Sequence, residues 1–262
     1  MKILVLGAGN MGAWFVESLC LIHDVAVFDR DKSRLRYFFN THRFVSYEQI
    51  EAFRPEMVIN AVSLHNTIAT FNDILPYIPD DCILSDITSV KTGLPEFYRQ
   101  SGKRFVSTHP MFGPTFGNLK ELNTHSAIII TESDNEGKDF FREFYQSLKL
   151  NIYEYSFEDH DHTTAYSLSI PFVSTLVFGA CMKHQEAPGT TFKKHLDIAR
   201  GLVTEDPYLL SEILFNPYTL PQIKNIQKEL EKLLLMVENK DTSSIHKFIS
   251  GIKYNITEQS CK

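Results

Sequence analysis

Ile3-Leu4-Val5-Leu6-Gly7-Ala8-Gly9-Asn10-Met11-Gly12 is the stretch from which the fold is read. The four apolar residues suit a strand buried on both faces. They run into G-x-G-x-x-G, after which Ala13, Trp14, Val16, Leu19 and Cys20 fall at helical spacing. A second strand, Val25-Ala26-Val27-Phe28, ends at Asp29. Each piece has a job in a dinucleotide site: Gly7 allows the tight turn, Gly9 lets backbone approach a pyrophosphate, and Gly12 lets helix and strand pack closely. Asn10 and Met11 stand at the helix start, where free N–H groups and the positive dipole end face phosphates. Asp29 comes about 20 residues after the glycines, where a carboxylate binds ribose hydroxyls. It repels a 2′-phosphate and so favours NAD over NADP, although Arg30 and Arg34 beside it pull the other way. NAD is the expected cofactor, with Arg30 counted among the cofactor residues.

Strand and helix patterns keep alternating. Strands are expected at Phe44-Val45, Met57–Val62, Cys82–Asp86, Arg104–Ser107, Ala127–Ile130 and Asn151–Tyr155, and helices at Tyr47–Phe53, Thr67–Tyr77, around Leu94-Phe97-Tyr98, and at Glu136–Leu148. Such alternation predicts an α/β fold with a doubly wound, mostly parallel Rossmann-type sheet. Near Phe157 the character changes, and from Asp159 onward every apolar pattern has helical period. A long helix from Asp159 to about Lys183, kinked at Pro171, is followed by helices from Thr191, from Asp206-Pro207, over Leu220–Val237, and after Asp241-Thr242-Ser243. The expected organisation is an NAD-binding domain of residues 1–156 and an all-helical domain of residues 157–262. The helical half is apolar enough to predict a homodimer formed through it.

Composition limits the function classes. With 43% hydrophobic and 22% charged residues the chain is ordinary globular protein, and a net charge of −6 without a basic block argues against a nucleic-acid partner. Cys20, Cys82, Cys181 and Cys261 lie far apart, with no C-x-x-C pair among them. They read as reduced thiols of a cytoplasmic protein, and no metal site is expected. The apolar run after Met1 is interrupted by glycines too early for a secretory signal. No run approaches the roughly 18 uninterrupted apolar residues of a membrane span, so no membrane partner is expected.

Thr108-His109-Pro110-Met111-Phe112-Gly113-Pro114 follows the strand Arg104–Ser107. Proline disfavours helical geometry in the residue before it, so His109 is expected on an irregular loop at the strand's carboxyl end, where open α/β sheets bind ligands. Histidine exchanges protons near neutrality, which makes His109 a candidate base. A loop histidine capping backbone groups is the alternative.

This stretch resembles the signature of the prephenate dehydrogenase family, which includes the arogenate dehydrogenases. The family's Asp-x-x-Ser-x-Lys is matched by Asp86-Ile87-Thr88-Ser89-Val90-Lys91, and its His-Asp opening of the helical domain by His160-Asp161. The resemblance covers essentially the whole chain, and neither the chorismate mutase segment nor the regulatory domain that some relatives carry is expected. It implies oxidative decarboxylation of prephenate to 4-hydroxyphenylpyruvate with NAD, on the way to tyrosine. His109 would then accept the ring-hydroxyl proton and Ser89 would orient that hydroxyl, unless Ser89 is a helix N-cap. Lys91 would help hold cofactor or acidic substrate. The family's carboxylate-binding arginine is assigned to Arg200, although Gly201 occupies the matching position when counted from Asp206-Pro207. Where relatives carry a second histidine this chain has Phe172, which leaves arogenate open as the substrate. A β-hydroxyacid dehydrogenase using Lys183, and a non-catalytic NAD-binding protein, are the other readings.

Overall fold

The computed structural model describes residues 1–112 and 124–259; Gly113, Pro114 and Cys261 lie outside the described residues. The chain divides into two compact units, Met1–Thr164 with Pro207–Glu212, and Ala165–Asp206 with Ile213–Lys262.

The first unit holds an eight-stranded sheet of β1 (Lys2–Leu6), β2 (Asp24–Phe28), β3 (His42–Phe44), β4 (Met57–Asn60), β5 (Ile83–Asp86), β6 (Phe105–Pro110), β7 (Ser126–Ile130) and β8 (Asn151–Tyr155). The order is β3-β2-β1-β4-β5-β6-β7-β8. Every neighbouring pair is parallel except β6 with β7. The mostly parallel doubly wound sheet is therefore present. Its helices are α1 (Asn10–Leu19), α2 (Tyr47–Phe53), α3 (Thr67–Ile74), α4 (Leu94–Ser101), α5 (Asn135–Ser147) and α6 (Phe157–Thr164).

Strand pleating divides the core in two, because successive side chains point to opposite faces. Ile3 and Val5 pack with Phe15 and Leu19 of α1 and Phe141 and Tyr145 of α5. Leu4 and Leu6 pack with Ile50 of α2, Phe71 of α3 and Phe97 of α4. Helix α5 lies close against β6 because Gly137 has no side chain; a Cβ there would come 2.7 Å from Val106 Cβ.

Two local expectations need correction. His109 is not on a loop: β6 continues through Pro110, and His109 pairs with Ile128 of β7. The residue before a proline is biased toward extended backbone, which suits a strand as well as a turn, and Pro110 ends the strand, where its missing N–H costs least. The long helix after Asp159 is also interrupted. Residues Ala165–Ser169 form a π-helical turn before α7 (Ile170–Cys181), with Pro171 in the first turn of α7. A proline cannot supply the N–H that a continuous α-helix needs, and a π turn absorbs the mismatch.

The second unit is helical: α7, α8 (Thr190–Val203), α10 (Thr219–Glu238) and α11 (Thr242–Gln259), with α9 (Pro207–Leu214) shared between the units. Ser169 Oγ and Thr219 Oγ1 lie 2.6 Å apart, and Thr219 Oγ1 donates to the Ile213 carbonyl at 2.9 Å. This buried cluster ties α10 to the end of the π turn. Asp241 accepts the Ser244 N–H at 3.0 Å at the start of α11. The expected apolar face of α10 is largely uncovered: Leu230, Leu233, Leu234 and Val237 are all exposed. The helical run Phe157–Cys181 is long and apolar enough, by length and composition, to cross a membrane. Its first turns carry Glu158, Asp159 and Asp161, however, and α6 packs on β7 and β8 of the sheet.

Candidate dinucleotide and proton-transfer site

The sheet order reverses direction between β1 and β4, and a crevice opens at such a point beyond the carboxyl ends of the strands. A cleft of about 500 Å³ lies there, lined by Gly7 and Gly9 after β1, Asp29 after β2, and Ala61, Val62 and Ser63 after β4. Gly7 has φ +93°, and a Cβ on it would meet the Ala61 carbonyl oxygen at 2.9 Å. A Cβ on Gly12 would lie 1.8 Å from the Gly7 oxygen, so α1 can seat against the turn only with glycine there. Nothing lies within 4 Å of the Cβ position of Gly9. This is the open approach that a pyrophosphate needs, with Asn10 and Met11 opening α1 beside it.

Asp29 serves the turn as well as facing the cleft. Its Oδ2 accepts the Ala8 N–H and its Oδ1 the Asp31 N–H, both at 2.8 Å. Arg34 approaches Asp29 Oδ2 at 3.9 Å and Asp31 at 3.6 Å. Arg30 donates to Asp73, and its hydrogen bonds to Tyr47 and Asp73 hold its guanidinium above the usual value. Both arginines that could favour a 2′-phosphate therefore already face carboxylates. The residues present fit a dinucleotide.

His109 is buried at the carboxyl end of β6, and its Nδ1 lies 3.0 Å from His160 Nε2 on α6. His160 Nδ1 in turn lies 3.2 Å from Asp161 Oδ1. Burial, then His160, then the Lys91 charge hold His109 well below its ordinary pKa. Burial likewise lowers His160, against the opposing pull of Asp161. Both rings are thus neutral at neutral pH. Just past the strand, Phe112 meets Trp14 of α1 edge to face, with ring centres 5.4 Å apart. The exit of the histidine strand is thereby tied to the glycine helix.

Lys91 lies inside the protein beneath the histidine strand. Its ammonium is fully buried; it donates to Asp86 Oδ1 at 2.6 Å and to the Thr108 carbonyl at 2.8 Å. Asp86 also accepts the Tyr98 hydroxyl at 2.8 Å and the Thr88 hydroxyl at 2.8 Å. Thr108 Oγ1 donates to the Ile128 carbonyl and meets the Tyr145 hydroxyl. The network fixes the backbone immediately before His109. Ser89 is half-buried in the loop from β5 to α4, and α4 begins at Leu94 with Gly93 before it, so Ser89 caps no helix. Arg200 belongs to the second unit, on α8, where its side chain is 69% exposed and bonded to Asp197 at 3.3 Å. Among the described residues, no group of three or more His, Cys, Asp or Glu is placed to hold a metal ion.

Sheet order, glycine turn and terminal acid together define a Rossmann-type nucleotide-binding domain. The family model for the prephenate dehydrogenase nucleotide-binding domain matches residues 23–151. That match gives the chain a nucleotide-binding domain of the prephenate dehydrogenase type over just under half of its length. It is 24% identical over 268 residues to a probable arogenate/prephenate dehydrogenase of Methanocaldococcus jannaschii, covering 94% of this chain and 58% of that one. Across the curated relatives it matches, the chain spans 58% to 74% of their length. The fold superposes on that of Aquifex aeolicus prephenate dehydrogenase, solved with hydroxyphenyl propionate and NAD+, at a TM-score of 0.84 and 18% identity over 98% of each chain. It also resembles Synechocystis arogenate dehydrogenase, at a TM-score of 0.76 and 18% identity over 99% of this chain and 100% of that one.

Proposed function

We propose that the protein is an NAD-dependent dehydrogenase that oxidatively decarboxylates prephenate to 4-hydroxyphenylpyruvate in tyrosine biosynthesis. The observation that carries this reading is the neutral, buried His109 at the end of β6, joined through Phe112 and Trp14 to the glycine helix. Bound NAD supplies the hydride acceptor. The glycine turn and the start of α1 hold its phosphates, and Asp29 its ribose. His109 takes the proton of the ring hydroxyl, and Ser89 orients that hydroxyl from the neighbouring β5 loop. Neutral imidazole is the form able to accept a proton, and a positioned base of this kind contributes about 10²–10⁴-fold. Lys91 acts from beneath the site by fixing Thr108, rather than by touching a ligand. Arg200 provides the fork for the ring carboxylate. The helical half, residues 157–262, is the substrate and dimerisation domain of this reading, and residues 1–156 the NAD-binding domain. A soluble cytoplasmic enzyme is the setting that suits it.

The direct test is NADH formation with prephenate and with arogenate side by side. Turnover of arogenate alone would move the assignment to the other branch of the family, and turnover of neither would reject it.

NAD is expected to support a higher kcat/KM than NADP, because Asp29 presents a carboxylate to the ribose while Arg30 and Arg34 face acids of their own. Asp29→Ser should narrow that gap, and equal or better use of NADP by the unaltered protein would reject the assignment. Arg200→Ala is expected to raise KM for prephenate with little change in NAD affinity. A charge-assisted hydrogen bond is worth about 1.5–3 kcal/mol, on the order of 10- to 150-fold in KM. An unchanged KM would move the role to another cation, Lys193 first. The uncovered face of α10, with Leu230, Leu234 and Val237 each more than half exposed, supports a homodimer through the helical half. Light scattering at micromolar concentration should give twice the chain mass, and a monomer would contradict this.

A further inference from the structure

Three side chains from two elements meet in a row: His109 Nδ1 to His160 Nε2 at 3.0 Å, and His160 Nδ1 to Asp161 Oδ1 at 3.2 Å. His160 is fully buried, and Asp161 is 19% exposed. We propose that His160 and Asp161 are positioning residues that fix the tautomer of His109, leaving its Nε2 unprotonated as the atom that accepts the substrate proton. This rests on the reading of His109 as the base.

The direction of the row follows from what each group can do. A carboxylate accepts hydrogen bonds and has none to give. Nδ1 of His160 must therefore carry the hydrogen it shares with Asp161. A neutral imidazole has one N–H only, so His160 Nε2 is an acceptor. His109 Nδ1 has to be the donor to it, and the single hydrogen of neutral His109 is then committed. Its Nε2 is left with a free lone pair. The opposite order would put two acceptors, His160 Nδ1 and the carboxylate, against each other inside the protein, at the cost of a buried unsatisfied group.

The same row handles the charge that the reaction creates. When Nε2 of His109 takes the hydroxyl proton, the ring becomes an imidazolium while Nδ1–H stays donated to His160. The hydrogen bond from His160 to Asp161 strengthens in step, so the carboxylate stabilises a cation one ring away. Lys91 and Asp86 are the other charged groups felt by these rings, and they oppose each other as a buried ion pair. Asp161 is the acid directly hydrogen-bonded to the row.

The test reads the tautomer itself, independently of any substrate. In protein carrying ¹⁵N-labelled histidine, long-range ¹H–¹⁵N correlation separates protonated from unprotonated ring nitrogens, and His109→Asn assigns the His109 signals by their loss. The expected pattern is a protonated Nδ1 and an unprotonated Nε2 at both His109 and His160. Asp161→Asn brings an amide NH₂ that can donate to His160 Nδ1. It should convert part of the His109 population to the Nε2–H form and lower kcat at least tenfold, while the Kd for NAD stays within twofold. Asp161→Glu should restore the original tautomers. An Nε2–H His109 in the unaltered protein overturns the proposal, and so does an Asp161→Asn protein whose tautomers are unchanged. Should Asp161→Asn fail to fold, the spectrum of the unaltered protein decides alone. If prephenate and arogenate both prove inert while the expected tautomers appear, the assigned reaction fails and the row stands.

Discussion

His109→Asn should lower kcat by about 10²–10⁴-fold, the range that a positioned general base contributes. Asparagine keeps a hydrogen-bonding amide of similar reach but cannot take a proton near neutrality. The Kd for NAD should hardly move, because the turn at Gly7–Gly12 and Asp29 does not depend on the histidine. The pH profile gives a second reading. Burial, His160 and Lys91 hold the His109 pKa well below 6.5, and the neutral form is the active one. Activity of the unaltered enzyme should therefore persist well into the acid range, and its acid limb should be absent from His109→Asn. Stability runs the same way. A histidine whose folded pKa lies below its unfolded value makes the unfolded state the better proton binder, so stability is lost as pH falls below about 6.5. His109→Asn should reduce that acid sensitivity, as seen in denaturation midpoints at pH 7 and pH 5. Near-normal kcat with an intact acid limb would show a structural histidine.

The sheet and the nucleotide cleft were legible because their signals are local. An apolar run, three glycines and an acid at the end of the second strand imply a geometry through sterics alone, and Gly12 shows why, since no side chain fits against the Gly7 carbonyl. The helix of Tyr47–Phe53 and the strand Asn151–Tyr155 fall where their apolar periods put them. What failed to show was whatever depends on a partner far along the chain. His109 lies on a strand because β7, about twenty residues later, pairs with it, and no local pattern announces that pairing. His160 stands 51 residues from His109, and only the folded α6 brings them together. Lys91 depends on such distant partners as well. Lysine is almost never fully buried unless it is paired, and its partners, Asp86 and the Thr108 carbonyl, come from two neighbouring strands. The spacing of Asp86 and Lys91, five apart across the end of β5, was the one available hint.

That buried pair gives the second large effect. Lys91→Met should destabilise the first unit by about 3–5 kcal/mol, the usual result of stranding one charge of a buried pair. Burial alone would push the Asp86 carboxyl up. The Lys91 ammonium and the hydrogen bonds from Lys91 and Tyr98 outweigh it and hold Asp86 below the usual range. Remove Lys91 and burial wins, so Asp86 must either take up a proton or remain an uncompensated charge. Removing both charges in Lys91→Met/Asp86→Asn should recover much of the loss, because the asparagine oxygen can still accept from one of the Thr88 and Tyr98 hydroxyls while its NH₂ donates to the other, and no bare charge is left inside. Lys91→Met should affect catalysis too. The Thr108 carbonyl loses its donor, which loosens the backbone before His109, and the loss of a nearby positive charge lets the His109 pKa rise. The acid limb of kcat should accordingly move to higher pH. Urea midpoints and pH profiles of the single and double variants separate these effects. A single variant within 1 kcal/mol of the unaltered protein, with an unmoved acid limb, would mean that Asp86 and Lys91 share a proton rather than a charge, and that the pair neither supports the fold nor tunes the histidine.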